Sequence, residues 1–192
     1  MDEAVATTRA HYDAVAADFD RRTRHGYPEL AAQLDAFRDL VVPGGIVVDA
    51  GCGPGRDLAQ LRARGLAAFG VDLSLGMLRE GPRTGTAQAD LRALPLRSAS
   101  LDGIWCNAAL LHIPQRDVPG VLEGFARAAR PGSPLHLCVA EGDGEGWEDQ
   151  RWFSYQREPG LSTVLGEVGW RIRAVAHRTS HRDWLMLTAT RE

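Results

Sequence analysis

The sequence predicts an α/β chain built around a parallel sheet, and three features carry that expectation. Short runs of Val, Ile and Leu alternate with longer stretches of helical period. One run, Ile46-Val47-Val48-Asp49, is apolar almost throughout, as a strand buried on both faces should be. That run passes through closely spaced glycines, Gly51, Gly53 and Gly55, directly into a helical pattern. At 192 residues the chain suits a single domain spanning 1–192, given about 150 residues per domain.

Taken in order, Ala4–Asp18 reads as a first helix, with Val5, Tyr12, Val15 and Phe19 near one face. Arg21–Tyr27 reads as a polar connector, so that 1–27 forms an N-terminal lid segment. Pro28 suits the start of a second helix to about Leu40, stopped by Pro43-Gly44-Gly45. Ile46–Asp49 is the first strand. A helix from about Asp57 to Arg64 ends at Gly65, well placed just past a helix C-terminus. Leu66–Val71 is the second strand; Ser74 caps a short helix through Glu80, which Gly81-Pro82 breaks. Thr86–Ala89 and Leu101–Cys106 follow as the third and fourth strands. Pro114-Gln115-Arg116-Asp117 leads into a helix to Arg130, and Pro131-Gly132-Ser133-Pro134 turns the chain into a fifth strand, Leu135–Ala140. Glu141–Trp152, acidic and glycine-rich, reads as a mobile loop within a substrate-side segment, 141–158. Pro159–Val168 is a short helix, and Trp170–His177 with Trp184–Thr190 makes a closing antiparallel pair, linked through Ser180. No internal repeat or linker interrupts this order.

Composition removes several classes of function. Apolar residues at 44% and charged residues at 24% are near globular averages, so a core can form. The 22 basic and 25 acidic residues leave a net charge of −3, which argues against nucleic acid or an anionic membrane as the main partner. Every basic residue is arginine. Without lysine there is no Schiff-base chemistry and no P-loop or kinase lysine. Cys52, Cys106 and Cys138 are far apart and form neither a disulfide framework nor a zinc motif; packed, reduced thiols are expected. The six histidines show no metal-ligand spacing. The start MDEAVATTRA lacks the pattern of a secretory signal, and no apolar run approaches a membrane span. A cytoplasmic protein is the expectation.

The glycine loop is the most informative stretch. Gly51 and Gly53 leave the backbone bare for a ligand, and the helix behind aims unpaired amides at the same place. The third glycine comes one position too early for G-x-G-x-x-G, which disfavours a nicotinamide or flavin dinucleotide. A tight strand-to-helix turn would use the same residues. However, the second strand ends in Asp72, 21 positions beyond Gly51, where a carboxylate can accept ribose hydroxyl protons. Asp90-Leu91 then places an acid and an apolar side chain where an adenine edge could rest.

These residues resemble a family. The runs V-V-D-A-G-C-G-P-G-R, G-V-D-L-S-x-x-M, A-D-x-x-x-L-P and S-x-D-G-I-W-C-N-A-A-L-L-H-I, in order from Val47 to Ile113, are similar to the class I S-adenosylmethionine-dependent methyltransferases. Among these they look most like the small-molecule group called methyltransferase type 11. The resemblance implies a three-layer α/β/α sandwich with a Rossmann-like, seven-stranded, mostly parallel sheet whose last strand is antiparallel. It implies S-adenosylmethionine as the methyl donor and S-adenosylhomocysteine as the product. By the same resemblance the Gly51-Cys52-Gly53 loop would hold the methionine part, with Asp49 supporting the loop. Asp72 would bind the ribose, Leu73 and Met77 would pack near the adenosine, and Asp90 and Leu91 would hold the adenine edge. Asn107 and Ala108 would line the pocket near the sulfonium. His11-Tyr12-Asp13 through Phe19-Asp20 resembles the family's Y-D-x-x-A-x-x-Y-D segment, with Tyr12 reaching the cofactor and Phe19 replacing a second tyrosine.

If the acceptor is a hydroxyl or an acidic carbon, a base is needed. His112, just past the fourth strand, is the candidate, with an ordinary pKa near 6.5; capping a turn or lining the pocket is the other reading. His11 and His25 are weaker candidates, His136 is expected to be structural, and His177 and His181 superficial. Tyr27, Trp147, Trp152 and Tyr155 are candidate substrate contacts, with ordinary core packing as the alternative. Arg21, Arg22 and Arg24 read as a solvated connector or, alternatively, an anion clamp. Methyl transfer to O, N or C of a small molecule, by a monomer or homodimer, is the leading reading. A tRNA or protein methyltransferase, or a non-catalytic binding module, is the alternative.

Overall fold

The structure, a computed structural model, describes residues 2–82 and 84–192, so that Met1 of the predicted 1–27 segment lies outside it. Helices α1 (Glu3–Thr23) and α2 (Leu30–Leu40) precede β1 (Ile46–Ala50), α3 (Arg56–Ala63), β2 (Ala67–Asp72), α4 (Leu75–Glu80) and β3 (Thr86–Gln88). Then come β4 (Gly103–Asn107), α5 (Val118–Ala128), β5 (Pro134–Ala140), β6 (Glu145–Glu148), β7 (Arg151–Ser154), α6 (Glu158–Glu167), β8 (Trp170–Thr179) and β9 (Asp183–Arg191). Seven of these strands form one sheet in the order β3-β2-β1-β4-β5-β9-β8. The first five pair in parallel, while β9 runs antiparallel to both neighbours. This is the predicted sheet.

The central strands β1, β4 and β5 are apolar because both faces are covered, while the edge strands β3 and β8 are largely exposed. Val48, Ile104, Leu135 and Leu187 pack on Leu122 and Phe125 of α5 and on Leu161 and Leu165 of α6. On the opposite face Val47 and Trp105 meet Leu34 and Phe37 of α2 and Leu58 and Leu61 of α3. The layers are therefore α/β/α.

Two expectations are corrected. The first helix does not stop at Asp18 but runs into the expected connector as far as Thr23. Ion pairs one turn apart, Asp18–Arg22 and Asp20–Arg24, support the extra turn, and Arg21, Arg22 and Arg24 point to solvent from it. The segment Glu141–Trp152 is not a mobile loop: most of it folds into the β6–β7 hairpin, paired from Glu145↔Ser154 to Glu148↔Arg151. Its turn residues Asp149 and Gln150 both adopt left-handed backbone (φ 45° and 64°), the geometry of a two-residue hairpin turn.

Candidate active site

β1 pairs with β2 along one edge and with β4 along the other, so the loops after β1 and β4 diverge and leave a crevice at the carboxyl ends of the strands. A cavity of about 210 Å³ occupies it, walled on one side by Val5, Thr8, Arg9, Tyr12, Phe19 and Thr23 of α1. Helix α1 is held there by Asp13, whose carboxylate accepts from Ser74 Oγ (2.6 Å) and the Gly76 N–H (2.8 Å). Thr8 Oγ1 accepts from the Trp152 N–H of β7 at 2.8 Å.

The glycine turn is pinned to β2, since the N–H groups of Gly51 and Cys52 both donate to the Val71 carbonyl (2.8 and 3.0 Å). Gly51 (φ +80°) has no room for a side chain: a Cβ would sit 2.1 Å from that of Ala109. Gly53 (φ +52°) differs, because a Cβ there would meet nothing within 4 Å. Asp72 accepts from the Gly53 and Ser74 N–H groups, each at 2.8 Å, through different carboxylate oxygens. Both oxygens keep lone pairs for a ligand. Burial raises the Asp72 pKa against these hydrogen bonds.

Asp49 is 2% exposed, and its Oδ2 has no hydrogen-bond partner. Burial first, and then the charges of Asp57 and Asp72, push its pKa well above the carboxylate range. On the α1 wall the Nε of Arg9 is likewise buried without a hydrogen-bond partner, with the Asp13 carboxylate 3.9 Å away. Asp57, in the first turn of α3, collects Arg56 Nε (2.6 Å), Trp105 Nε1 (2.9 Å) and Asn107 Nδ2 (2.6 Å). Burial would raise its pKa, but Arg56 and these donors together hold it below the usual value. Ala108, at the end of β4, sits in left-handed backbone (φ 58°), an uncommon conformation for a residue with a side chain, and faces the cavity.

His112 is fixed at both ring nitrogens. Nδ1 lies 2.7 Å from the Trp152 carbonyl, which can only accept, so Nδ1 carries the proton. Nε2 then accepts from the Tyr12 hydroxyl, also at 2.7 Å. The ordinary pKa expected for His112 does not hold, because burial pushes it down to about 4. It is neutral at pH 7 but weakly basic, and its lone pair is already engaged.

The structure thus gathers Tyr12, Asp49, Gly51, Cys52, Gly53, Asp72, Leu73, Met77, Asp90, Leu91, Asn107, Ala108 and His112 around one cavity. Asp90 faces it with a carboxylate already paired to Arg92 (2.7 Å). The four expected substrate contacts do not line this cavity. Tyr27 lies beside it, its hydroxyl donating to Gln33 (2.7 Å) and accepting from Asn107 (3.3 Å). Trp147 is 47% exposed and packs edge-on against Trp152 of the same hairpin. Tyr155 donates to Glu148 and lines a separate shallow pocket with Trp147. Arg9 and Asp57 are among the wall residues that were not anticipated. Arg9 could be found from Val5, Thr8 and Tyr12, which share its helix face at helical spacing. Asp57 looks like any acid in a helix's first turn, so nothing in the sequence marks it.

Comparison with known proteins agrees with this geometry. A family described as a methyltransferase domain matches residues 47–132. A malonyl-[acyl-carrier protein] O-methyltransferase of Enterobacter lignolyticus is 33% identical over 166 residues, covering 79% of this chain and 63% of its own length. Methyltransferase GfsG of Streptomyces halstedii is 34% identical over 109 residues, 51% of this chain and 38% of its own. The chain spans less than two thirds of the length of these relatives. Among solved structures, the Burkholderia thailandensis 1,6-didemethyltoxoflavin-N1-methyltransferase superposes with a TM-score of 0.77 at 23% identity, over 97% of this chain and 88% of that one. Magnesium protoporphyrin IX methyltransferase from Synechocystis PCC 6803, with bound S-adenosylmethionine, gives 0.77 at 22% identity, over 100% and 98%. These structural likenesses establish the fold.

Proposed function

We propose that this chain, whose motifs and fold are those of the class I S-adenosylmethionine-dependent methyltransferases, transfers a methyl group from S-adenosylmethionine to a small-molecule acceptor. One observation carries the reading. Asp49 and Arg9 line the same cavity as Asp72, and each has a buried polar atom, a carboxyl oxygen and a guanidinium nitrogen, that lacks a hydrogen-bond partner. An amino-acid tail offers an ammonium and a carboxylate to those two groups, and a ribose offers its diol to Asp72. The bound donor supplies a methyl group already activated on a positively charged sulfur.

The chain's own work is then to bind, align and exclude water. Gly53 leaves its backbone open for close approach, and Leu73, Met77 and Leu91 offer apolar surface to a flat ring. Alignment of two reactants in such a site is worth about 7–11 kcal/mol. In this reading the domain 1–192 works as one unit, as a monomer or homodimer. The acceptor is a small molecule and not a nucleic acid, which the net charge of −3 supports. The names of relatives that act on malonyl-[acyl-carrier protein] extend the range to a small acyl group presented on a carrier. Among the described residues no helix is long and apolar enough to cross a membrane, and a cytoplasmic location belongs to the same reading.

Calorimetry tests the proposal. Heat is expected with S-adenosylmethionine and S-adenosylhomocysteine, and none with NAD. Asp72→Ala should weaken binding by about 1–3 kcal/mol, the size of hydrogen bonds to a charged acceptor. Absence of heat with both sulfur ligands would overturn the reading, and an unchanged affinity in the variant would remove Asp72 from it.

A further inference from the structure

Beside the cavity the chain builds a layer of guanidinium groups on aromatic rings that the methyl donor does not need. The Arg178 guanidinium lies 4.5 Å over Tyr27 and 5.6 Å from Trp184; that of Arg182 lies 4.1 Å over Phe153 and 5.9 Å from Trp184. The Arg151 guanidinium lies 5.1 Å from the centre of the Phe153 ring. The layer adjoins the cavity through three contacts. Tyr27 meets Asn107, Phe153 packs edge-on against His112 at 4.9 Å, and Arg151 acts on the Tyr12 hydroxyl, lowering a pKa that burial raises.

These cations are under-neutralised. Arg182 pairs with Glu148 at 3.1 Å, but the nearest acid to Arg151 is Asp149, 4.0 Å away and 92% exposed. Arg178 has no carboxylate within 4.0 Å among the described residues, and the Nε atoms of Arg151 and Arg178 are buried without a partner. Unmet charged donors of this kind are costly unless a ligand completes them. Arg182 already donates to Glu148 and to the Tyr155 hydroxyl (3.5 Å), whereas Arg178 has no carboxylate partner among the described residues. A guanidinium edge matches a planar carboxylate with two parallel hydrogen bonds. Glu148 already offsets part of the charge, which suits a single carboxylate better than a phosphate dianion.

The site chemistry points the same way. His112, the one histidine on the cavity wall, has both nitrogens bonded and a lone pair given to Tyr12. An acceptor that arrives already deprotonated needs no base. We infer that the acceptor bears a carboxylate, and that Arg178, Arg182 and Arg151 receive it beside Tyr12 and Asn107. The inference rests on the methyltransferase reading above.

The test uses the protein saturated with S-adenosylhomocysteine. Malonyl-pantetheine, phenylacetate and indole-3-acetate are each titrated beside the corresponding carboxamide, with inorganic phosphate as a further arm. At least one carboxylate should bind, with its carboxamide weaker by about tenfold or more, the range of a lost charge-assisted hydrogen bond. Arg178→Gln should reduce that carboxylate's affinity by about tenfold while changing the S-adenosylhomocysteine Kd by less than about twofold. Arg178→Lys, which keeps the charge and loses the fork, should recover part of it. An acid and amide that bind alike, no binding by any carboxylate, phosphate binding tighter than every carboxylate, or an unaffected Arg178→Gln would each overturn the inference. With S-adenosylhomocysteine bound normally, such a result leaves the methyltransferase reading in place. Loss of S-adenosylhomocysteine binding by the unaltered protein would overturn both.

Discussion

Gly51 and Gly53 stand two positions apart in one turn and lack side chains for different reasons. The Gly51 position faces protein, with 2.1 Å between a built Cβ and that of Ala109, whereas the Gly53 position faces open space. Gly51→Ala should therefore separate the β1 turn from β4 and destabilise the fold by about 1–3 kcal/mol or more, since packed neighbours must move. Gly53→Ala should cost only about 1 kcal/mol of backbone strain, yet place a methyl where a ligand must lie against the backbone. Denaturant midpoints with S-adenosylhomocysteine titrations would separate the two, with stability lost in the first and affinity lost with little unfolding in the second. Equal behaviour would contradict the assignment. The sequence showed that bare backbone was needed at this turn, but spacing alone could not say which glycine serves packing and which a ligand. The same limit hid Asp57, whose importance lies in collecting Trp105 and Asn107 from β4, a contact made only once β4 pairs with β1.

At the scale of elements, the N-terminal helix is the wall that can fail. α1 crosses α4 so closely that a Cβ on Gly76 would lie 2.7 Å from the Cα and carbonyl oxygen of Asp13. Backbone cannot step aside as a side chain can. Gly76→Ala should push α1 away, break the Asp13 bonds to Ser74 and Gly76, and open the cavity. Faster amide hydrogen exchange in α1 and weaker S-adenosylhomocysteine binding should appear together, with exchange in β1 and β4 unchanged. Unaltered α1 exchange would show that the contact relaxes without cost. Helix and strand order was legible because Pro, Gly and apolar period mark each element, and the main errors came from elements lacking such marks. The β6–β7 turn is Asp149-Gln150, not the Asn-Gly or Asp-Gly of a hairpin signal, so its glycine-rich flank read as a loop. Trp147 and Trp152, expected over a substrate, instead pack on each other across that hairpin.

At the scale of the whole molecule, the parallel order and the crevice were legible because a buried strand, a glycine turn and a second strand ending in an acid fix the switch point of the sheet. What could not be read was how burial would change the chemistry of the groups placed there. His112 and His136 are both buried, and burial pushes each pKa down to about 4; for His136 the charge of Asp57 opposes this without reversing it. In the unfolded chain each histidine takes up a proton near pH 6.5, whereas in the folded chain it does so only near 4. Between those values the unfolded state binds more protons, so stability is full above about pH 6.5 and falls as pH drops through the window. Asp49 and Asp72, with raised pKa values, contribute in the opposite sense, so the total slope is a difference of the two. A single substitution isolates one histidine. His136 stacks on Trp105 with ring centroids 3.8 Å apart and has an unpartnered Nε2, so His136→Phe keeps the stack and removes the titrating group. Its stability relative to the unaltered protein should rise as pH falls from about 7 to 5, by up to ~1.4 kcal/mol per pH unit. Urea midpoints at several pH values measure this, and a difference that stays constant across the window would mean that His136 titrates alike in both states.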